Sequence, residues 1–197
     1  MGPAGERGEP GRLRLEAPRP RFHASFLAAL EEYQAEGRHL ELPAALLADP
    51  AEFARYVAAL RAEVARPGAL DAYLTPLGAA PEPPEGDYVP QTTLWWVRDD
   101  EYLGRVSLRH HLTEELRREG GHIGYEVRPS ARGLGHATAM LAATLPLAAA
   151  LGIRLARLDC AAGNFASRRV IEKNGGQLER GEGDTVYFLV PTGRGAS

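Results

Sequence analysis

The segment from 127 to 138 does most to limit the possible folds of this chain, because it joins an apolar strand to a helix through a glycine-bearing turn. Its sequence is VRPSARGLGHAT, and Gly133 and Gly135 allow the main chain to approach a ligand closely. The unpaired N–H groups and the positive dipole end of the new helix favour phosphate oxygens. Arg132 adds a fixed positive charge. We therefore predict an anion-binding cradle at the start of this helix.

Two common phosphate-binding loops fit this segment poorly. A P-loop requires a lysine followed by serine or threonine after its last glycine, and no such pair follows Gly135. The dinucleotide motif G-x-G-x-x-G requires a third glycine at the position that Thr138 occupies. Nucleotide hydrolysis and a dinucleotide-binding fold are therefore disfavoured.

The same segment resembles the acyl-CoA-binding signature of the GNAT N-acetyltransferase superfamily, V-x-P-x-x-R/Q-x-x-G-x-G/A. The matching residues are Val127, Pro129, Arg132, Gly135 and Ala137. The resemblance implies that main-chain groups of residues 134–138 bind the pyrophosphate of coenzyme A.

A second segment supports this resemblance. Residues 164–176, NFASRRVIEKNGG, look like the superfamily's next helix, N-x-x-[SA]-x-x-x-[YL]-x-K-x-G, at the expected distance. Two motifs in the correct order are much harder to obtain by chance than one. The resemblance covers residues 91–190, and its wording is nearest to the branch of ribosomal-protein and small-molecule acetyltransferases.

The composition is typical of a soluble single-domain protein. The 197 residues, of which 44% are hydrophobic, are sufficient to bury one good core. With 23 basic and 26 acidic residues the net charge is −3, which disfavours nucleic-acid binding through bulk positive charge. Cys160 has no partner for an internal disulfide, and neither a signal peptide nor an apolar run of membrane-spanning length is present. We predict a cytoplasmic protein that binds neither membranes nor nucleic acid.

The first part of the chain is predicted to add two amphipathic helices to the coenzyme-binding core. A flexible tail, 1–11, precedes a short strand, 12–16. Apolar residues then recur at helical spacing in two places: Phe26, Leu27, Leu30 and Tyr33, followed by Phe53, Tyr56, Val57, Leu60 and Val64. Prolines and glycines crowd residues 76–90, which are therefore predicted to be a loop.

Strand-like segments dominate the remainder. They are short and rich in β-branched or aromatic residues, and they cover 92–97, 102–108, 122–127, 153–160, 178–180 and 185–190. One helix begins near Leu134 and another near Asn164. This order predicts a layered α/β, GNAT-like fold: a mostly antiparallel mixed sheet of six to seven strands flanked by helices, with an N-terminal two-helix elaboration. We assign one domain to 12–190, with its core at 91–190, followed by a flexible tail, 191–197.

The resemblance implies transfer of an acetyl group from acetyl-CoA, as co-substrate, to a primary amine of a small molecule, peptide or protein. The implied coenzyme-binding residues are Val127, Arg132, Gly133, Leu134, Gly135, His136, Ala137, Thr138, Asn164 and Ser167. Asn164 precedes a helical run, so capping free N–H groups is an alternative or additional role. No metal is expected, since the run from Arg109 to His111 lacks a third ligand at metal spacing. The chain is expected to act as a monomer or a homodimer.

The thioester carbonyl has to be polarised during transfer, and preorganised backbone N–H groups are suitable donors. The resemblance implies that the strand 122–127 diverges from the strand 153–160. Main-chain groups along the first strand would then bind the pantetheine arm and the carbonyl.

The amine has to lose a proton before it attacks, and the strand 122–127 offers two candidate bases. A lysine with a pKa of about 10.4 is neutral in about one molecule in 2,500 at pH 7, whereas roughly a tenth or more of an α-amine is neutral. His122 and Glu126 share one face of the strand. Glu126 lies closest to the cradle and is a candidate to take the proton directly or through water, with a solvated or salt-bridged strand carboxylate as the alternative. His122 has a suitable unperturbed pKa of about 6.5, with a structural role as its alternative.

The departing thiolate has no obvious acid. Many superfamily members place a tyrosine seven positions after the asparagine, where this chain has Ile171. Ser167 lies one turn earlier on the same helical face and is a candidate donor to the thiol sulfur. A thiol pKa of about 8.5 makes the thiolate a tolerable leaving group, so loss of a dedicated acid need not abolish turnover. Ile171 also motivates a second hypothesis, a catalytically weak or inactive CoA-binding sensor or regulatory protein.

Overall fold

The computed structural model of the chain describes residues 11–77 and 88–193. Residues 1–10 of the predicted tail, 78–87 of the predicted loop and 194–197 of the second predicted tail lie outside the described residues. Thr192 is buried, and its hydroxyl donates to the carbonyl oxygens of Ile153 and Arg154. The folded domain therefore extends past the predicted limit at residue 190.

Seven strands and seven α-helices make up the described part of the chain. The strands are β1 (Leu13–Glu16), β2 (Gln91–Arg98), β3 (Glu101–Arg109), β4 (Ile123–Val127), β5 (Leu155–Ala161), β6 (Gln177–Glu182) and β7 (Thr185–Pro191). The helices are α1 (His23–Ala35), α2 (Ala44–Leu47), α3 (Pro50–Ala62), α4 (Ala69–Leu74), α5 (Glu114–Arg118), α6 (His136–Ala150) and α7 (Phe165–Lys173). None of these described helices is both long and apolar enough to span a membrane.

The strands form two antiparallel sheets. The first has the order β1-β2-β3-β4 and the second has the order β5-β7-β6. With helices packed against both sheets, the layered α/β fold predicted from the sequence is confirmed. Helices α1 and α3 are the two predicted N-terminal helices, whereas the short α2 and α4 are additions that the periodicity does not predict.

The two sheets meet just before β4 begins. Gly121 has a φ of 57°, and a Cβ at this position would lie 2.4 Å from the carbonyl oxygen of Arg157. Glycine is therefore required for the two chain segments to come this close. The backbone N–H of His122 donates to the same oxygen at 2.7 Å, and the ring Nδ1 of His122 accepts the backbone N–H of Arg157 at 2.9 Å. Beyond this contact no ladder joins β4 to β5 within the described strands, so the sheets diverge as the resemblance implies.

Two hydrophobic clusters fill the interior, and β2 contributes to both. One cluster lies under the N-terminal helices and includes Phe26 and Trp95. The other lies against α6 and α7 and includes Trp96 and Ile171. The consecutive tryptophans enter different clusters because side chains of a strand alternate between its faces. The first sheet is thus a wall between the N-terminal helices and the predicted coenzyme-binding elements.

Candidate active site

The predicted cradle is a turn that leads from β4 into α6. A short 3₁₀ turn, Pro129–Ala131, follows the strand. Gly133 and Gly135 then have φ values of 77° and 83°, a left-handed region that side chains with a Cβ avoid. Helix α6 begins at His136, and no side chain caps its first turn. The two glycines are therefore needed for the path of the turn itself.

The most informative feature of the cradle is a row of six main-chain N–H groups, from residue 133 to residue 138. None of the six has a hydrogen-bond partner among the described residues, and the first bond of the helix is made by Ala139 to the carbonyl of Gly135 at 3.1 Å. The row lies at the positive end of a helix of 15 residues, and Leu134 is exposed beside it. Such a row is a favourable site for phosphate oxygens.

The side chain of Arg132, predicted to bind the coenzyme, is engaged in a protein contact. Its guanidinium forms a two-point ion pair with Glu36, with both N–O distances 2.8 Å. Its Nε also donates to the carbonyl oxygen of Val127 at 3.2 Å. A phosphate in the cradle therefore has to compete with Glu36 for the charge of Arg132.

Further polar contacts hold the cradle in place from two sides. Glu32 of α1 accepts from the guanidinium of Arg128 and, at 2.9 Å each, from the backbone N–H and hydroxyl of Ser130. Partial burial opposes ionisation of Glu32, but these donors outweigh it and lower the pKa of its carboxyl. On the other side, the ring Nδ1 of His136 accepts the indole N–H of Trp96 at 3.3 Å. The cradle is therefore fixed before any ligand arrives.

The main-chain N–H and C=O groups of β4 point alternately toward the neighbouring strand β3 and toward the gap beside β5. Arg109 donates its backbone N–H to the carbonyl of His122 at 2.8 Å, and Arg128 donates to the carbonyl of Leu103 at 2.9 Å. Because antiparallel strands bond at alternate residues, the even-numbered residues of β4 bond to β3. Tyr125, which is odd-numbered, turns its N–H and C=O toward the gap. The gap thus exposes unpaired main-chain groups one residue from Glu126.

Helix α7 follows β5, packs on the β5 side of this gap and contacts β4 through one pair of hydroxyl groups. The side chain of Asn164 accepts the backbone N–H of Ser167 at 3.0 Å, so Asn164 is the helix cap that its sequence position allows. The hydroxyl of Ser167 lies 2.9 Å from the hydroxyl of Tyr125. Ile171 is fully buried, so the position at which many superfamily members have a tyrosine belongs to the core. Ser167 and Tyr125 are the hydroxyl groups that face each other across the gap.

Glu126 lies on the other side of β4, toward the N-terminal helices, within a cluster of cations. Its carboxylate contacts Arg105 at 2.6 Å, Arg38 at 2.8 Å and the Nε2 of His39 at 2.9 Å, and its side chain is only 10% exposed. Burial opposes ionisation, but the His39 hydrogen bond and the arginine charges prevail and lower the pKa of Glu126 to about 2. Proton transfer to it from a lysine with a pKa of about 10.4 costs roughly 11 kcal/mol. The salt-bridged alternative describes Glu126, and a direct base role is not supported.

His122 is likewise engaged in structure. Its Nδ1 accepts from the backbone of Arg157, in the contact that joins the two sheets. Burial, reinforced by the positive charges of Arg117, Arg157 and Arg109, lowers the pKa of His122 to about 4. The ring nitrogen that could take a proton is therefore occupied, and the structural alternative for His122 fits better than a base.

Several residues of this site have no signal in the local sequence. Arg38 and His39 are 88 and 87 positions from Glu126, and Glu36 is 96 positions from Arg132. Ion pairs at such separations follow from the packing of α1 against β3 and against the 3₁₀ turn after β4, which no short motif encodes. Within residues 11–77 and 88–193, no group of three or more His, Cys, Asp or Glu side chains is placed to hold a metal ion.

Comparisons with known proteins agree with this geometry. A family model described as an acetyltransferase (GNAT) domain matches residues 29–177. None of the curated proteins compared matches the sequence significantly.

Solved structures share the fold over nearly the whole chain. Mycobacterium smegmatis RimJ in complex with CoA-disulfide is 20% identical, over 92% of this chain and 82% of that chain, with a TM-score of 0.60. RimL, a ribosomal L7/L12 alpha-N-protein acetyltransferase in complex with coenzyme A, is 18% identical over 91% and 93%, with a TM-score of 0.56. The microcin C7 self-immunity acetyltransferase MccE, in complex with acetyl-CoA and AMP, is 11% identical over 91% and 92%, with a TM-score of 0.56. At these identities the likeness concerns the fold.

We predict that His122 accounts for part of the loss of stability in mild acid. Its pKa is about 4 in the folded chain and about 6.5 in an unfolded one. The unfolded state therefore binds the proton more readily, and stability falls as the pH drops from about 6.5 to 4, by at most about 3 kcal/mol because solvent screening of this half-buried ring reduces the effect.

Urea denaturation across this pH range, on the wild type and on His122→Gln, measures the effect. The variant should lose less unfolding free energy between pH 6.5 and 4 than the wild type. The corresponding loss from Glu126 falls at lower pH, between its ordinary value of 4.5 and about 2. Equal slopes for the two proteins in the upper range would show that His122 does not carry the effect.

Proposed function

Since the chain belongs to the GNAT family of acetyltransferases and is therefore an acyltransferase, we propose that it transfers an acetyl group from acetyl-CoA to the α-amine of a peptide or protein. Small-molecule amines are the alternative acceptors. The observation that carries the proposal is the row of free N–H groups from residue 133 to residue 138, which opens beside the gap between β4 and β5.

The cradle is proposed to hold the pyrophosphate of the coenzyme. The N–H groups of Gly133, Leu134, Gly135, His136, Ala137 and Thr138 supply donors at the positive end of α6. The Nδ1 of His136 accepts from Trp96, which leaves its main-chain N–H as the group of this residue proposed to contact the pyrophosphate. Arg132 adds charge to the extent that a phosphate displaces Glu36.

The gap beside β4 is proposed to hold the pantetheine arm and the thioester. Bound acetyl-CoA would supply an activated acetyl group whose carbonyl becomes negatively charged as the amine attacks. The outward N–H of Tyr125 is fixed by the strand and is suited to stabilise that charge without reorganisation. Val127 ends the strand, and its own carbonyl is held by Arg132. Asn164 contributes by capping α7 and so fixing Ser167, which is proposed to donate to the thiol sulfur.

The acceptor is proposed to approach from the side of the N-terminal helices. A cavity of about 10 Å³, room for about one water molecule, lies there between Tyr33, Tyr56 and Glu126. The carboxylate of Glu126 orients Arg38 and His39 through its contacts with them, and since its pKa is lowered to about 2 it is proposed not to take the proton of the amine directly. An acceptor that is already partly neutral at pH 7 is therefore favoured, which points to α-amines over lysines.

The relatives are consistent with this acceptor class. RimL is described as an alpha-N-protein acetyltransferase of ribosomal L7/L12. A Salmonella typhimurium acetyltransferase with 17% identity to this chain is described as modifying the N-terminal serine of L7/L12. These substrates support a terminal α-amine as the acceptor without identifying the protein that carries it.

We predict that a negative charge in the cradle weakens coenzyme binding without unfolding the chain. Leu134 is 71% exposed, so Leu134→Glu costs little stability, but its carboxylate would repel the pyrophosphate. Leu134→Gln is the matched control, since it has the same length and no charge. Calorimetry should show acetyl-CoA affinity reduced by about tenfold or more in Leu134→Glu and nearly unchanged in Leu134→Gln. Equal affinities for the two variants would place the phosphates elsewhere.

We also predict a preference for α-amines at neutral pH. Two peptides are compared at saturating acetyl-CoA: one with a free N-terminus and no lysine, and the same peptide acetylated at its N-terminus and carrying one lysine. At pH 7 the first should release coenzyme A thiol about tenfold faster or more, because far more of its amine is neutral.

The outcome of this comparison separates three hypotheses. Faster reaction of the lysine peptide at pH 7 would contradict the α-amine proposal and require a competent base. If acetyl-CoA binds but no amine in a broad panel raises thiol release above hydrolysis, the chain is the CoA-binding sensor or regulatory protein that Ile171 motivates.

A further inference from the structure

One hydrogen bond bridges the two walls of the gap in which the thioester is proposed to lie. The hydroxyl of Tyr125 on β4 is 2.9 Å from the hydroxyl of Ser167 on α7 and 3.3 Å from the Ser167 carbonyl oxygen. The main-chain groups of Tyr125 also face the gap, since odd-numbered residues of β4 turn away from β3. A single residue of β4 thus lines the gap and contacts the candidate thiol partner.

Ser167 is held in place by its neighbours on α7 and β5. Asn164 accepts its backbone N–H at 3.0 Å and fixes the first turn of the helix. Burial raises the pKa of the Cys160 thiol, and a hydrogen bond with Ser167 acts in the opposite direction. Ser167 thus lies close enough to Cys160 of β5 to influence the pKa of its thiol.

The number of protons on the Ser167 and Tyr125 hydroxyls determines whether Ser167 can donate a hydrogen bond to a third group. A serine hydroxyl has one proton to donate and two lone pairs to accept with. The Tyr125 hydroxyl donates to the Ser167 carbonyl oxygen and has the Ser167 hydroxyl oxygen within reach of the same proton; when Tyr125 is the donor to both, the Ser167 proton is left free to point to a third group. Burial raises the pKa of Tyr125 to about 12, so its phenol stays protonated and able to donate at neutral pH. One turn later, Ile171 is buried and offers no donor.

We propose that Tyr125 is a positioning residue that directs the Ser167 proton toward the sulfur of coenzyme A during acetyl transfer. This inference rests on the proposed acetyltransferase function. As the new C–N bond forms, the thioester C–S bond breaks and its electron pair passes to sulfur. Ser167 donates a hydrogen bond to that sulfur, which later takes its proton from water, while the proton lost by the amine passes to solvent. Tyr125 keeps its own proton throughout.

A double-mutant cycle tests this role. Ser167→Ala should lower kcat by about tenfold, the loss of one hydrogen bond to a developing charge, and Tyr125→Phe by about threefold to tenfold. The double variant should be no slower than Ser167→Ala, because Tyr125 acts only through Ser167. Calorimetric acetyl-CoA affinity of Tyr125→Phe should stay within about twofold of wild type.

Tyr187→Phe is the matched control. Its hydroxyl donates to the carbonyl of Arg118 at 2.6 Å, away from the gap, so kcat should not change. A double variant whose loss is the product of the two single losses would overturn the proposal. So would a Tyr125→Phe variant that binds acetyl-CoA more weakly but keeps the wild-type kcat, because that pattern indicates packing alone.

If the proposed acetyltransferase activity itself is absent, the wild-type protein reveals this before any variant is compared. A wild-type protein that releases no thiol in response to any amine fails the acetyltransferase proposal, whatever the variants do. Slow hydrolysis of acetyl-CoA still breaks the same C–S bond, and the same cycle measured on hydrolysis then decides the role of Tyr125. The role of Tyr125 would be overturned if the loss of hydrolysis rate in the double variant were the product of the two single losses. Absence of hydrolysis above the solvent rate would also overturn it.

Discussion

The contact between His122 and Arg157 is the constraint on which the candidate site depends. It joins the two sheets at one point, and Gly121 makes that approach possible because any Cβ there would meet the Arg157 carbonyl. Had β4 and β5 continued as a ladder from this point, the main chain of Tyr125 would be satisfied by its neighbour. Because the strands part instead, unpaired N–H and C=O groups line a gap that ends at the cradle. The imidazole of His122 therefore helps to shape the site.

The N-terminal helices cover one of the two hydrophobic clusters, and they also hold parts of the candidate site in place. Through Glu32 and Glu36, the end of α1 holds the cradle, and through Arg38 and His39 the following loop holds the carboxylate of Glu126. The cradle and the Glu126 side of β4 are thus attached to one short stretch of chain. Because this stretch of chain lies beside both features, its charged side chains form ion pairs with them. The charged groups of the candidate site are therefore already paired within the protein.

The elements set by short-range physics could be predicted from the sequence, and the pairings made over long range could not. The path through Gly133 and Gly135 and the cap at Asn164 depend on a few neighbouring residues, so their patterns can be recognised. Glu126 illustrates the opposite case. Its place on β4 follows from strand alternation, but its pKa depends on Arg38 and His39, which are 88 and 87 positions away. Thr192 likewise looks like part of a tail until its bonds to the residues before β5 are seen.

Amide hydrogen exchange is the most direct test of the central claim, that the cradle and the open edge of β4 together bind the coenzyme. With saturating acetyl-CoA, peptides covering residues 133–138 and 123–127 should exchange more slowly by about tenfold or more, because their free N–H groups gain partners. Peptides from α3, on the far side of the first sheet, should exchange at unchanged rates. Protection that spares residues 133–138 while acetyl-CoA is bound would contradict the account.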